Sequence, residues 1–195
     1  MVRFTRFALD SFRGRSLPDL LGDDTQLLFV GINPGLRAVA VQAHFGGGGS
    51  NRFYPALYRA GIVDRRIDAS AGFLPQDVAH LKERGLGITS LVAGASARAD
   101  ELTAEQLIAG ADALSERVGR ITPAVVAVLG ITAYRTAFAR PRAVVGRQPD
   151  PLGGAPVWVV PNPSGLNKRA SLADLANAYR EVAIAAGIDV FTARD

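Results

Sequence analysis

Two asparagines stand where chemistry could be done. Asn33 closes the apolar run Leu27-Leu28-Phe29-Val30-Gly31-Ile32 and is followed by Pro34 and Gly35. Such a run bounded by polar residues and a Pro-Gly turn reads as a buried parallel strand, and in open α/β sheets sites form beyond the carboxyl ends of such strands. A carboxamide oxygen at that spot can hold a water molecule. It cannot act as a general base, because an amide takes up no proton near neutral pH. Pro34 stiffens the turn, and Gly35 lets backbone approach a ligand. A second stretch has the same grammar: Val157-Trp158-Val159-Val160, then Pro161-Asn162-Pro163-Ser164-Gly165-Leu166-Asn167-Lys168. Two strands that each end in Asn-Pro and small residues predict two walls of one cleft.

Other polar candidates are fewer. Ser90 follows a brief predicted strand within Gly87–Val92. Asp100 and Glu101 read as a helix lead-in, and Asp23 and Asp24 precede the first strand, at the end of the sheet away from Asn33. The chain has no cysteine, which excludes disulfides, thiolate-held zinc and iron–sulfur clusters. His44 and His80 lie far apart and offer little to a metal, so neither metal nor cofactor is expected. The run Gly46-Gly47-Gly48-Gly49 is no phosphate-binding P-loop, since no Gly-Lys-Ser/Thr follows it. The segment from Leu36 to Ser50 is expected to be mobile, without local structure of its own.

These residues need a frame. A chain of 195 residues suffices for one domain with a substantial core. Short helices are predicted over 52–60 and 75–84, and a long one over 103–119 with Thr103 and Gln106 at capping-box spacing. A strand over 124–129 leads into a helix over 132–139. Two strands within 143–160 surround Pro149-Asp150-Pro151-Leu152-Gly153-Gly154, and a helix over 171–186 starts with Ser171 and Asp174. Alternating strands and helices argue for an α/β fold, a three-layer α/β/α sandwich around a mainly parallel sheet. Residues 1–16 carry Arg3, Arg6, Arg13 and Arg15 against Asp10, with Val2, Phe4, Phe7, Ala8 and Phe12 at loosely helical spacing. They read either as a basic arm or as an amphipathic terminal helix. The net charge of +4, carried by arginine at every basic position except Lys82 and Lys168, is compatible with a polyanionic partner. No apolar run approaches the roughly 18 residues needed to span a bilayer, so a cytoplasmic location, with use at the nucleoid, is the default expectation.

Gly31-Ile32-Asn33-Pro34-Gly35 and Asn162-Pro163-Ser164-Gly165-Leu166, with Asn51-Arg52-Phe53 between them and Ala178-Tyr179-Arg180-Glu181 after them, resemble the mismatch-specific uracil-DNA glycosylases and their thymine-DNA glycosylase relatives. The likeness runs from about Leu17 to about Ala186, which implies a single catalytic domain over 17–195 and makes residues 1–16 a candidate arm for DNA phosphates. It implies a monofunctional hydrolase that flips uracil or a related pyrimidine from G-mispaired duplex and cuts its N-glycosidic bond, as in base excision repair. It makes Asn33 the water-positioning residue, Ile32 and Gly35 backbone contacts for the pyrimidine, and Phe45 the aromatic that stacks on it. Ser90 stands where relatives vary a polar residue near the site, some with an acid or amide, and a serine would be a weaker helper. Leu166 becomes the wedge that fills the gap left by the flipped base, Gly165, Leu166 and Asn167 the readers of the opposite guanine, and Asn162 and Ser164 the holders of sugar and phosphate. Lys168 and Arg169 add charge beside the DNA backbone. The stretch after Phe45 departs from the family in being richer in glycine and one residue longer.

The partner implied is double-stranded DNA with a G·U or related mismatch, met by a monomer, with no membrane and no metal. Two other readings stay open. A mismatch-binding protein without cleavage would share the same motifs. A nucleotide-binding α/β enzyme would need a phosphate-binding lysine or a ribose-binding acid after the glycine-rich turn, and neither stands at the expected spacing.

Overall fold

The computed structural model describes residues 4–48 and 50–192. Met1, Val2, Arg3, Gly49 and 193–195 lie outside the described residues, so the expectations attached to Val2, Arg3 and Gly49 are not followed further.

The most apolar segments form the middle of the sheet. Strands β1 (Leu27–Gly31), β2 (Leu86–Ser90), β3 (Val125–Leu129), β4 (Gly146–Arg147) and β5 (Val157–Val160) line up in the order β2-β1-β3-β5-β4. All neighbours are parallel except β4, which runs antiparallel to β5 as Gly146 faces Val159. Successive side chains of a strand point to opposite faces, and β1 shows why it must be apolar throughout. Leu27 and Phe29 enter the core under α3 (Phe53–Arg59), α4 (Pro75–Glu83) and α7 (Leu172–Ala185), whereas Leu28 and Val30 enter the core under α5 (Ala104–Ile121) and α6 (Ile131–Ala137). A strand covered on both faces can keep few polar positions. The result is the three-layer α/β/α arrangement.

Local signals set several boundaries. Thr103 and Gln106 form the expected capping box of α5, and Ser171 and Asp174 that of α7. α5 ends at Ile121, two residues later than predicted, where Thr122 turns into the left-handed region at φ 52°. The chain from β1 turns one way to reach β2 and the other way to reach β3, so the carboxyl end of β1 lies at the point where the sheet order reverses. That is where α/β sheets open a crevice.

One expectation is overturned. Residues 36–50 are not a structureless segment: Leu36–Ala40 form α2, with Leu36, Ala38 and Val39 buried against Leu17 and Ala95. The glycines after it pack closely as well, with the Gly46 and Gly47 N–H groups donating to the Ala43 and Ala69 carbonyls at 3.0 Å each. A Cβ on Gly46 would stand 2.6 Å from the Ala69 oxygen, so this glycine serves close approach rather than freedom. Near the amino end, Thr5 caps α1 (Arg6–Asp10), and Leu9 within it and Phe12 just after it pack onto the α2 cluster. Arg13 there is paired with Glu101 and Asp10, and Arg15 stacks over Phe12. Among the described residues no helix is long and apolar enough to cross a membrane.

Candidate active site

The carboxyl ends of β1, β2 and β5 and the segments that follow them enclose a cleft of about 310 Å³. It brings together Ile32, Asn33, Gly35, Phe45, Ser90, Asn162, Ser164, Gly165 and Leu166. Asn167, Lys168 and Arg169 do not line it; they line an adjoining hollow that shares Ile32, Asn162, Ser164 and Leu166.

The orientation of the Asn33 amide follows from its partners. Its Nδ2 donates to the Gly94 carbonyl at 3.1 Å and to Ser96 Oγ at 2.8 Å. A carbonyl can only accept, so the nitrogen must face Gly94. Ser96 Oγ spends its own hydrogen on the Arg98 carbonyl at 2.7 Å and is left to accept from Asn33. Both amide hydrogens are thereby committed, and Oδ1 remains as the acceptor. Ser96 is buried, and its N–H donates to the Pro34 carbonyl at 3.2 Å, which ties its loop to the Asn33 turn. Sequence reasoning missed Ser96 because a serine in Ala93-Gly94-Ala95-Ser96-Ala97 carries no signature. Replacing it with alanine is expected to free the Asn33 amide to rotate and to slow any reaction that depends on its fixed oxygen roughly tenfold, with ligand affinity nearly unchanged, and Ser96→Thr should restore the rate. An alanine variant as fast as the parent would show that Asn33 needs no such support.

Two residues that line the same space carry unpaired backbone donors. Among the described residues neither the Ile32 N–H nor the Gly35 N–H has a protein acceptor, while the Ile32 carbonyl accepts from Val92 at 2.9 Å and the Gly35 carbonyl from Val39 at 3.1 Å. Phe45 is half-buried with φ 56°, and its ring stacks on Phe53 at 4.1 Å between centroids. It lines both the cleft and a hollow of about 520 Å³ beside Tyr54 and Tyr58, and so forms the partition between them. Ser90 is buried at the end of β2, and its carbonyl accepts from Arg117 Nη2 at 2.9 Å.

Opposite Asn33, the 161–170 loop is held by its own asparagines and by one arginine. Asn162 Oδ1 accepts from the Ser164 N–H at 2.9 Å, and Asn167 Nδ2 donates to the Asn162 carbonyl at 2.9 Å. The Arg169 N–H donates to Asn167 Oδ1 at 3.2 Å, so both ends of the Asn167 amide serve the loop itself. Arg52 reaches in from the start of α3. Its Nη1 donates to the Ala170 carbonyl at 2.6 Å, and its Nη2 donates to the Asn167 and Ser164 carbonyls at 2.9 and 3.2 Å. The Arg52 N–H adds a bond to the Pro163 carbonyl at 3.0 Å. Gly165 lies against Ser50, whose Oγ would be 1.8 Å from any Cβ there, so the glycine-rich loop and the 161–170 loop touch at a point that admits no side chain. Leu166 remains 75% exposed at the tip.

His44, also unforeseen as a site residue, is buried in the cleft wall. Its Nε2 lies 2.8 Å from the Pro18 carbonyl and must carry the hydrogen, and its own carbonyl accepts from the buried Tyr54 hydroxyl at 2.7 Å. Burial pushes the imidazole below its ordinary value, against the smaller opposing pulls of the Pro18 carbonyl and Asp19. The sign follows directly. Unfolded chains bind the proton near pH 6.5 and the folded chain resists it, so the contribution is intact above that pH and is lost as pH falls from there through the lower folded value. Thermal melts between pH 8 and 5 should show this decline, with a shallower one in His44→Gln; equal slopes would refute it.

A sequence model described as the Uracil DNA glycosylase superfamily matches residues 18–184. A solution NMR structure from Methanosarcina acetivorans, of a protein provisionally assigned as a uracil DNA glycosylase, resembles this chain with a TM-score of 0.59. The likeness covers 89% of this chain and 98% of that one at 15% identity, and at that identity it is a likeness of fold.

Proposed function

The chain belongs to the uracil DNA glycosylase superfamily, and from that premise we propose that residues 17–195 form a monofunctional glycosylase domain that removes uracil, or a related pyrimidine, from G-mispaired duplex DNA. The observation that carries this reading is the Asn33 amide: its two hydrogens are bound inside the protein, and its oxygen, on a residue that lines the cleft, has no protein donor among the described residues. That oxygen holds a water against C1′ of a nucleotide turned out of the stack. The water oxygen forms the new bond to C1′, the C1′–N1 bond breaks, and its electron pair leaves with the base. The water's proton ends on the departing base or on solvent, because Asn33 cannot take it. The Ile32 and Gly35 N–H groups are suited to the charge that develops on a pyrimidine, and Phe45 offers an aromatic face for its ring. Chemistry of this kind relies on a good leaving group, so uracil is cut and ordinary cytosine is not.

The preference for guanine opposite the lesion is supported by the loop that carries Leu166. Among the described residues the Gly165 and Leu166 carbonyls accept no hydrogen bond, while those of Pro163, Ser164, Asn167 and Ala170 are taken by Arg52. Two unpaired acceptors suit guanine, whose pairing edge presents N1–H and N2–H donors. Leu166 fills the vacated stack, Asn162 and Ser164 meet sugar and phosphate, and Ser90 is a modest helper at the pocket wall.

The deciding experiment incubates duplexes that differ only in the base opposite a single uracil and then cleaves abasic sites with alkali. Strand breaks that are strongest opposite guanine support the reading. Retained binding without breaks would replace it with a mismatch-binding protein. No interaction with any duplex would favour a small-molecule enzyme.

A further inference from the structure

A second surface continues from the wedge loop to the edge of the sheet. The hollow beside the cleft is lined by Leu166, Lys168 and Arg169 and also by Val145. Val144, the next residue back, lines a further hollow of about 430 Å³ together with Arg140, Arg142 and Arg147. The two hollows therefore meet across the Val144–Val145 turn, whose side chains are 67% and 50% exposed.

The charge along this path is one-sided. Arg140 is paired with Asp150, but among the described residues Arg142, Arg147, Lys168 and Arg169 make no ion pair. No carboxylate lines the 430 Å³ hollow. The one acid in the neighbouring hollow, Asp100, is already taken by Arg98. β4 is one of the two edge strands, and Arg147 lies two residues beyond Val145, about 7 Å further along the chain. Arg135 fixes the turn from beneath by donating twice to the Ala143 carbonyl, at 2.9 and 2.7 Å. This is a held, exposed, uncompensated cationic rim that runs on from the wedge and carries two small apolar side chains.

We propose that this rim is a second DNA contact, which takes two backbone phosphates of the duplex flanking the lesion on the Leu166 side through Arg142 and Arg147. The inference rests on the glycosylase reading for the position of the DNA over Leu166. Phosphate is the ligand that four unpaired cations in series call for, and exposed Val144 and Val145 suit the apolar faces of deoxyribose between them. The contact carries no base specificity. It adds affinity and salt dependence and leaves the chemical step alone.

The test uses the full chain and fluorescein-labelled G·U duplexes of 8 and 25 base pairs, with anisotropy titrations between 50 and 200 mM salt. Each phosphate neutralised contributes about 0.9 to the slope of log affinity against log salt. Arg142→Gln/Arg147→Gln should therefore lower the slope on the 25-mer by about 1.8, so that its disadvantage shrinks about twelvefold across that range. On the 8-mer, with the mismatch set at the end on the Leu166 side so that no flanking duplex reaches the rim, parent and variant should agree, and on each duplex the two should cleave at the same single-turnover rate at saturating protein. Arg142→Glu/Arg147→Glu should weaken 25-mer binding further. An unchanged slope in both variants, with binding and cleavage intact, would overturn the second contact while leaving the glycosylase reading standing. Failure of the parent chain to bind any duplex would overturn both.

Discussion

Asn33→Ala is expected to lower single-turnover release of uracil from a G·U duplex by about a hundredfold or more, with DNA affinity changed by less than about threefold. The asymmetry follows from what the amide touches. Its hydrogens go to the Gly94 carbonyl and to Ser96, and Ser96 keeps its bond to the Arg98 carbonyl when the amide is removed. Its oxygen alone has no protein partner among the described residues, so under the proposed mechanism deletion removes the water's holder and no group placed to meet phosphate or the opposite base. Part of the alanine effect is also structural, because the Gly94 carbonyl loses its donor. Ser96→Ala separates these parts, since it releases the amide without deleting the oxygen. An Asn33→Ala variant that cleaves at the parent rate would remove Asn33 from the chemistry and with it the proposed mechanism.

The second large effect is expected at Arg52. Its guanidinium donates to three carbonyls of the 161–170 loop, more than 110 residues away in sequence, from a half-buried position. Hydrogen bonds from a charged donor contribute roughly 1.5 to 3 kcal/mol each, and a lysine cannot reproduce the planar fork that reaches all three. Arg52→Lys is expected to lower stability by roughly 2 to 3 kcal/mol and to weaken cleavage of paired G·U duplex by at least about tenfold, with less effect on uracil in single-stranded DNA. The distinguishing measurement is a double-mutant cycle with Leu166→Ala. Where Arg52 acts by presenting the wedge, removing the wedge from the Arg52→Lys protein changes little further, and the two effects fall short of adding. A fully additive cycle would mean that Arg52 only stabilises the fold.

The apolar runs and the caps were legible because their causes are local. Leu27–Gly31 and Val125–Leu129 are apolar at every position because helices cover both faces of the sheet, and that burial is written in residue type. The Thr103–Gln106 and Ser171–Asp174 pairs act across three residues, so their spacing alone predicts where α5 and α7 begin. Asn33 and Asn162 also stood out in the sequence, as an Asn-Pro turn after each of two apolar strands, whereas Leu166 was singled out through the family resemblance. Tertiary structure alone decided which atom of Asn33 faces the cleft, because its partners are a glycine carbonyl and a serine 61 and 63 residues away. It alone decided that Arg52 holds the 161–170 loop, that residues 36–40 coil into a helix over Leu17 and Ala95, and that Gly46 and Gly47 are packed rather than loose. The reason is common to all four. Each depends on a backbone carbonyl or a contact surface supplied from far along the chain; every residue carries a carbonyl, so residue type cannot mark which one will be used.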